Sequence, residues 1–424
     1  MSSFRPISIS LSPNTERDDI HLALKLFFKP WLWKRGESEE FLEKEFKNYL
    51  EIEYAISFNS GRSALLAILK SLDLKENNEI LLQAFTCNAA VSPILWASLK
   101  PIFIDCDEKT FNIDITNLER TLLETRGKKS KVLMVQHTFG LPAEMDKILE
   151  ICKKNNLILI EDCAHSLGAE YRGKKVGTFG DVAFFSFSRD KVISSVYGGI
   201  VVTNNENLAK KIKEFKEKIG YPSYFWIFQQ LLHPVLMNYL ILPTYSFLRT
   251  GKTLLIIFQW LKVLSKAVHW LEKRGKKPGY FPKRLPNALA ILALNQFKKL
   301  DKFNQHRKKI AEFYRKELKE TSFKLPTESE QIYLRFTIKT SKNLSTDRQA
   351  HNIIRKAWQQ NILIGDWYTT AIAPHDTKLE KMGYKLGSCS KAEKLAKETF
   401  NLPTHINISR KEAEKIVDFL KNIK

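Results

Sequence analysis

The residues best equipped for chemistry stand in three short blocks between positions 59 and 203. In the last block, Phe184-Phe-Ser186-Phe-Ser-Arg-Asp-Lys191 leaves an apolar run and puts a lysine in the loop, ahead of Gly198-Gly199 and a second run, Ile200-Val-Val-Thr203. A lysine withdrawn from water and flanked by hydroxyls has a lowered pKa and acts as an amine nucleophile, whereas at the surface it is only a solvated charge. Upstream, Leu157-Ile-Leu-Ile-Glu161-Asp162-Cys163-Ala164-His165 ends a buried run on two carboxylates. A buried carboxylate needs a cationic partner, which a protonated pyridine nitrogen, an arginine or a lysine would supply; it could also cap the next helix. The first block, Asn59-Ser60-Gly61-Arg62-Ser63-Ala64-Leu65, follows a run and opens a helix. Free N–H groups at a helix start attract anions and Gly61 allows close approach, but Ser60 or Ser63 acting as a plain cap explains the same residues. Each block is weak alone. Their joint order is specific: anion-type turn, carboxylate after a strand, Ser-x-x-x-x-Lys after a later strand, Gly-Gly hairpin.

The elements that must position these groups can be read from periodicity. Apolar runs at Ala55–Ser57, Ile80–Gln83, Pro101–Asp105, Lys131–Gln136, Leu157–Glu161, Val182–Phe187 and Gly199–Thr203 alternate with amphipathic segments such as Gly61–Ser71 and Glu144–Asn155. Runs apolar on both faces and separated by helices predict a mostly parallel sheet of seven strands covered on both sides. Such an α/β sheet collects its catalytic groups in the loops at one edge. Residues 285–320 read as one long helix. After Pro326 follow a strand at Tyr333–Thr337, a helix near Asp347–Gln359 and a last helix Arg410–Ile423, a small α+β unit. The expected organisation is an N-terminal arm over 1–20, a large cofactor-binding domain over 21–222, a helical insertion over 223–280, and the long helix with the small domain over 281–424.

Composition narrows the classes. The 424 residues carry 68 Lys+Arg against 46 Asp+Glu, a net charge of +22, which suits anionic partners or reflects lysines spread over exposed helix positions. Five scattered cysteines, without a C-x-x-C pair, argue against a disulfide scaffold or a zinc site, and the nine histidines form no metal-ligand pattern. The start, Met1-Ser-Ser-Phe-Arg-Pro, lacks the apolar core of a signal peptide, so the cytosol is expected. No helix-turn-helix or zinc-finger pattern points to nucleic acid. The segment 224–271 differs from the rest: it is dense in Trp, Phe, Leu and Ile, and between Ser223 and Arg284 ten basic residues face a single acidic one, Glu272. Leu254, Ile257, Phe258, Leu261, Leu264, Val268 and Leu271 fall on one helical face, Gln259, Lys262, Lys266 and Lys273 on the other. Such a helix either lies on a membrane interface or packs on the domain or across a dimer.

The sequence resembles the DegT/DnrJ/EryC1/StrS family of pyridoxal-phosphate-dependent sugar aminotransferases, of fold-type I architecture. The likeness runs through Trp31-Leu32 with Gly36, Ser60-Gly61-Arg62-Ser63-Ala64-Leu65, Pro101-Ile-Phe-Ile-Asp105 with Phe111-Asn-Ile-Asp114, His137-Thr-Phe-Gly140-Leu-Pro142-Ala-Glu-Met-Asp146, the stretch from Glu161-Asp162 to Lys191, and Asn401-Leu-Pro403-Thr-His405. It implies pyridoxal 5'-phosphate held on Lys191, which then carries protons. Asp162 would pair with the pyridinium, while Ser186 and the Gly61-Arg62-Ser63 turn would bind the phosphate. His165 would stand near the ring hydroxyl. Where many members stack an aromatic on the ring, this chain has Cys87, so Phe85 or His165 is expected to stack instead. The family's N-x-R motif stands here as Pro282-Lys283-Arg284, and 224–271 is an insertion near that dimer-facing region.

The implied reaction moves an amino group, with glutamate as donor, onto a nucleotide-linked keto sugar in surface-polysaccharide or glycan precursor synthesis, within a homodimer that shares its active sites. Two alternatives keep their place at this stage. Dehydratase-like relatives replace the lysine with histidine, which Lys191 argues against. A basic protein that binds a membrane surface through 224–271 belongs to a different class.

Overall fold

The computed structural model describes residues 4–124, 130–327, 331–340 and 349–423. Seven strands form the large sheet: β1 Tyr54–Phe58, β2 Glu79–Gln83, β3 Lys100–Ile104, β4 Ser130–Gln136, β5 Ile158–Asp162, β6 Val182–Ser186 and β7 Gly199–Thr203. Their order across the sheet is β1-β7-β6-β5-β4-β2-β3, with β7 antiparallel to both its neighbours and the other pairings parallel. Each expected run is found to within a residue or two of its ends. Alternate side chains serve opposite cores, as the pleat requires. On β6, Val182 and Phe184 enter one apolar cluster while Ala183 and Phe185 enter another; on β1, Ile56 and Phe58 part from Ala55 in the same way. Both faces are therefore covered, and the C-terminal ends of β1, β4, β5 and β6 meet the start of β7 at one sheet edge.

The chain after residue 285 departs from its sequence reading. The single long helix is two, Asn287–Phe297 and Leu300–Leu318. The break lies where Gln296 and Lys299 turn to the N-terminal helix Arg17–Phe27: Gln296 donates to Asp19 at 2.6 Å and Lys299 pairs with Asp18 and Asp19 at 2.9 and 2.8 Å. No proline or glycine marks it, so periodicity ran through. The strand expected at Tyr333–Thr337 is Phe336–Lys339, paired antiparallel with Thr399–Leu402. The helix near Asp347–Gln359 is found over Gln349–Gln359, with 347 and 348 outside the described residues. The small unit has its own core around Tyr314, Phe336 and Phe400. Its two-stranded pairing Ile362–Leu363 takes Ile7–Ser8 as a parallel partner, so the N-terminal segment is tied into the fold.

The amphipathic helix expected over Leu254–Leu271 is shorter, Thr250–Trp260, preceded by Tyr224–Leu236 and a π-turn Met237–Ile241. Lys262 takes a left-handed conformation, and Val263 N–H returns to Phe258 C=O at 2.8 Å. This is a Schellman stop made without glycine, hence silent in the sequence. From Leu261 onward the insertion is an irregular ribbon: Leu264 is buried while Leu261 is exposed, so the predicted stripe divides between core and surface.

Candidate active site

At the sheet edge a cleft of about 820 Å³ of empty space, open at its mouth, gathers Gly61, Arg62, Cys87, Gln136, Asp162, His165, Ser186 and Lys191 from five separate segments. The sheet register explains the grouping. Asp162 ends β5 opposite Phe184 of β6 and Gln136 of β4; Ser186 ends β6 opposite Gly199, which in turn faces Phe58 just ahead of the Ser60-Gly61 turn. Two glycines are required by proximity. A Cβ on Gly199 would stand 2.4 Å from the Gly61 nitrogen, and one on Gly61 would stand 3.0 Å from Ser186 Cβ. Gly61 thus leaves a cradle between its own N–H and the Ser186 hydroxyl.

The two carboxylates of β5 have different fates. Glu161 accepts hydrogen bonds from Gly177, Phe179 and Gly180 N–H at 2.7–2.8 Å and from His137 Nε2 at 3.1 Å. Burial pushes its pKa up, but His137 and these N–H donors outweigh burial and hold it below the usual range. It is a structural tie, and although Cys163 stands close to His137 and Glu161, His137 also accepts from Ala143 N–H at 3.0 Å, so its ring nitrogens are already engaged. The Asp162 carboxylate lines the cleft and, among the described residues, accepts a hydrogen bond from Ala164 N–H at 3.0 Å; burial raises its pKa. A cation placed against it would hold it ionised.

Lys191 is held by its backbone. Asn14 donates to the carbonyls of Lys191 and of Val192, the latter at 3.1 Å, and Arg307 donates to Val192 C=O at 2.7 Å and to Asn14 Oδ1 at 2.9 Å. Both clamping residues are buried, and burial lowers the Arg307 pKa to about 9. Sequence reading missed them, because an asparagine in an N-terminal arm and an arginine in a polar-looking helix carry no local signal. The Lys191 amine lies 5.3 Å from the centre of the Trp367 ring, and burial lowers its pKa to about 8. Trp367 itself was also unforeseen. Asn401 accepts from its N–H at 3.0 Å, Arg335 stacks on it at 3.4 Å, and it covers the face of His165 at 5.6 Å.

The sequence profile of the DegT/DnrJ/EryC1/StrS aminotransferase family matches residues 14–224 and 259–421. The chain belongs to this family. Among curated relatives, GDP-perosamine synthase of Escherichia coli O157:H7 is 35% identical over 186 residues, 44% of this chain and 50% of that protein. The chain spans about half the length of the curated relatives it matches, 51%, 50% and 56% for three of them. Among solved structures, the aminotransferase PseC of Helicobacter pylori, involved in pseudoaminic acid biosynthesis, superposes with a TM-score of 0.75 at 21% identity, covering 98% of this chain and 99% of that one. The Escherichia coli GDP-4-keto-6-deoxy-D-mannose-3-dehydratase with bound hydrated PLP does so with a TM-score of 0.75 at 21% identity, over 98% and 100%. These two likenesses establish the fold.

As a DegT/DnrJ/EryC1/StrS member, the chain places most expected site residues in one cleft, but not all. Ser63 is buried outside the cleft wall: it donates to Asn59 Oδ1 at 2.6 Å, and its N–H caps onto Ser60 Oγ at 3.0 Å. Phe85 is fully buried against Phe111 and Tyr368 and does not reach the lining. His165 does reach it, with its ring near-parallel to those of Phe139 at 5.8 Å and Trp367 at 5.6 Å, so it is packed among aromatic rings of the protein itself. Burial, then the nearby Lys191 and Arg335 cations, holds His165 neutral. Cys87 lines the wall as the cap of helix Asn88–Trp96, its thiol pKa raised by burial. Arg62 is committed to the insertion: it pairs with the buried Glu272 at 3.0 Å and donates to Ala267 C=O at 2.8 Å. Ala267 and Val268 therefore wall the cleft beside the Gly61 turn.

Proposed function

We propose that this protein is a pyridoxal-phosphate-dependent aminotransferase that transfers an amino group from glutamate to a keto sugar carried on a nucleoside diphosphate, as a step toward glycan or surface-polysaccharide precursors. The observation that carries the reading is one cleft holding an amine of lowered pKa, a buried carboxylate with room for a cation, and a glycine cradle at a helix start. The residues fit the cofactor on independent grounds. Arg62 Nη1, Arg189 Nε and Asp190 Oδ1 are buried polar atoms in or beside the cleft wall with no hydrogen-bond partner among the described residues, which a polar ligand would relieve. The pairing of the sugar with a nucleotide draws on the named relatives and on the basic surplus of the chain.

When bound, the cofactor supplies the electron sink that makes a carbon–hydrogen bond beside nitrogen acidic. The protein's own groups do the rest. Gly61 and Arg62 N–H and the Ser186 hydroxyl would hold the phosphate, and Asp162 would accept the hydrogen bond of a protonated ring nitrogen. Lys191, partly unprotonated at neutral pH, is both nucleophile and proton carrier. Arg335, buried against Trp367 at 3.4 Å, would hold that ring in place beside the cleft. The tryptophan and Tyr368 exclude water from the amine. A dehydratase-like reaction is not favoured, because Lys191 stands where such relatives have histidine. A homodimer with shared active sites completes the proposal; sedimentation at enzyme concentrations checks it. The reaction is tested by adding nucleotide-linked amino sugars to the yellow holoprotein one at a time. One of them should bleach the visible band, and glutamate with the matching keto sugar should yield that amino sugar. A panel in which simple amino acids alone react would overturn the sugar assignment.

A further inference from the structure

The insertion has two sides. Its inner side walls the cleft through Ala267 and Val268 and is tied down by Arg62–Glu272, by Arg189 donating to Ser265 Oγ at 2.6 Å, and by Tyr197 donating to Lys266 C=O at 2.7 Å. Its outer side is unlike the rest of the surface. Of the nineteen large hydrophobic side chains exposed among the described residues, ten lie between Tyr224 and Trp270, including Leu248, 86% exposed, and Trp260, 79% exposed. Lone exposed apolar residues need no explanation; a concentration of them does. Interleaved with them are the exposed cations Arg249, Lys252, Lys262 and Lys266. The insertion's one carboxylate, Glu272, is buried against Arg62, so it neutralises none of them. The family profile has no counterpart for 225–258, which carries Phe247, Leu248, Arg249, Lys252 and Ile256 of this face, while Trp260, Leu261, Lys262 and Lys266 lie where the match resumes.

We propose that the outer face of the insertion docks on an anionic lipid bilayer surface. Tryptophan and leucine enter the headgroup boundary while lysine and arginine meet lipid phosphates, the combination that interfacial binding needs. No described helix is long and apolar enough to cross a membrane, so the contact is peripheral. A second copy of the same face is a poorer occupant: a two-fold contact would set lysines against lysines with no carboxylate of the insertion to pair them. The proposal stands apart from the aminotransferase reading. Joined to it, docking would hold the cleft against the membrane, because the same ribbon forms the cleft wall and the docking face.

The test is co-sedimentation of the full-length protein with extruded vesicles of phosphatidylcholine alone or mixed with phosphatidylglycerol. Binding is expected to the mixed vesicles only, to weaken with salt, and to be accompanied by a blue shift of tryptophan fluorescence. Neutralising Lys252, Lys262 and Lys266 to glutamine should weaken it by about tenfold or more. The same change at Lys308, Lys309 and Lys319, exposed in or just beyond the helix Leu300–Leu318, should have little effect, which separates a docking face from the general charge of the chain. Trp260→Ser, at a side chain too exposed to matter for folding, should also weaken binding and abolish much of the fluorescence shift. Equal losses from both lysine sets, or no binding to either vesicle, would overturn the proposal. So would a Trp260→Ser protein that binds vesicles normally but dissociates into smaller species in sedimentation, since the face would then be a protein interface.

Discussion

The lowered pKa of Lys191 makes a quantitative prediction about how the cofactor-free protein captures pyridoxal phosphate. Burial moves the amine from 10.5 to about 8. The sign follows from desolvation: burial disfavours the ammonium, so the free amine appears at lower pH. At pH 7 a pKa near 8 leaves roughly 9% of the amine unprotonated, against ~0.03% for an unperturbed lysine, a gain of ~300-fold in nucleophile. The capture rate should therefore rise about tenfold between pH 6 and pH 7 and then flatten above pH 8, whereas an ordinary lysine would still gain about eightfold between pH 9 and pH 10. Trp367 gives a second arm. It covers the amine at 5.3 Å, and Trp367→Ala would admit water, moving the inflection upward and slowing capture at pH 7. Stopped-flow absorbance at constant ionic strength, with a free ε-amine peptide as the control for the cofactor's own titrations, measures both. A rate that climbs without inflection to pH 10 in the unsubstituted protein would refute the claim that burial activates this lysine.

Other expectations follow from particular contacts. Arg307→Met removes the donor to Val192 C=O and to Asn14 while keeping the apolar stem, and should cost about 2–4 kcal/mol of stability in a denaturant titration; a loss below about 0.5 kcal/mol would mean the clamp does not hold the Lys191 loop. Gly61→Ala puts a methyl into the cradle at Ser186, so a protein that still folds by circular dichroism should bind pyridoxal phosphate at least tenfold more weakly in an absorbance titration; unchanged affinity would move the phosphate elsewhere. Asp162→Asn should keep the cofactor covalently bound but lower turnover by about a hundredfold or more, as expected when a buried electrostatic partner of the reacting system is lost; full activity would remove Asp162 from the site. Glu272→Gln should leave Arg62 without its counter-ion and speed proteolytic cleavage within 261–276, an effect read by mass spectrometry, while an unaltered cleavage pattern would show that the ion pair does not fasten the ribbon.

Much of this architecture was legible because it rests on repetition. Seven apolar runs spaced by helices admit few arrangements, and the spacing of Asp162, Ser186 and Lys191 placed them at the ends of neighbouring strands. The parts that were not legible depend on contacts between distant segments. Asn14 and Arg307 lie 293 positions apart and meet at the Lys191 loop. Trp367 enters the cleft from the small unit because Asn401 holds its backbone, a pairing that neither stretch announces. Phe85 seemed a stacking candidate from its neighbours in sequence, yet its ring points into a core formed with Phe111 and Tyr368. The insertion misled for a local reason: a lysine, not a glycine, ends the helix at Trp260, so hydrophobic periodicity carried on past the turn.

If Lys191 anchors the cofactor, the bond between them can be trapped and located. The purified protein, saturated with pyridoxal phosphate, is reduced with borohydride, digested and mapped by mass spectrometry beside a Lys191→Ala protein treated alike. The unsubstituted protein should be yellow with its pyridoxyl adduct on the peptide carrying Lys191, and the substituted protein should fold but be colourless and carry no adduct there. A protein that takes up no cofactor, or that carries the adduct on another lysine while Lys191→Ala stays yellow, would contradict that role for Lys191.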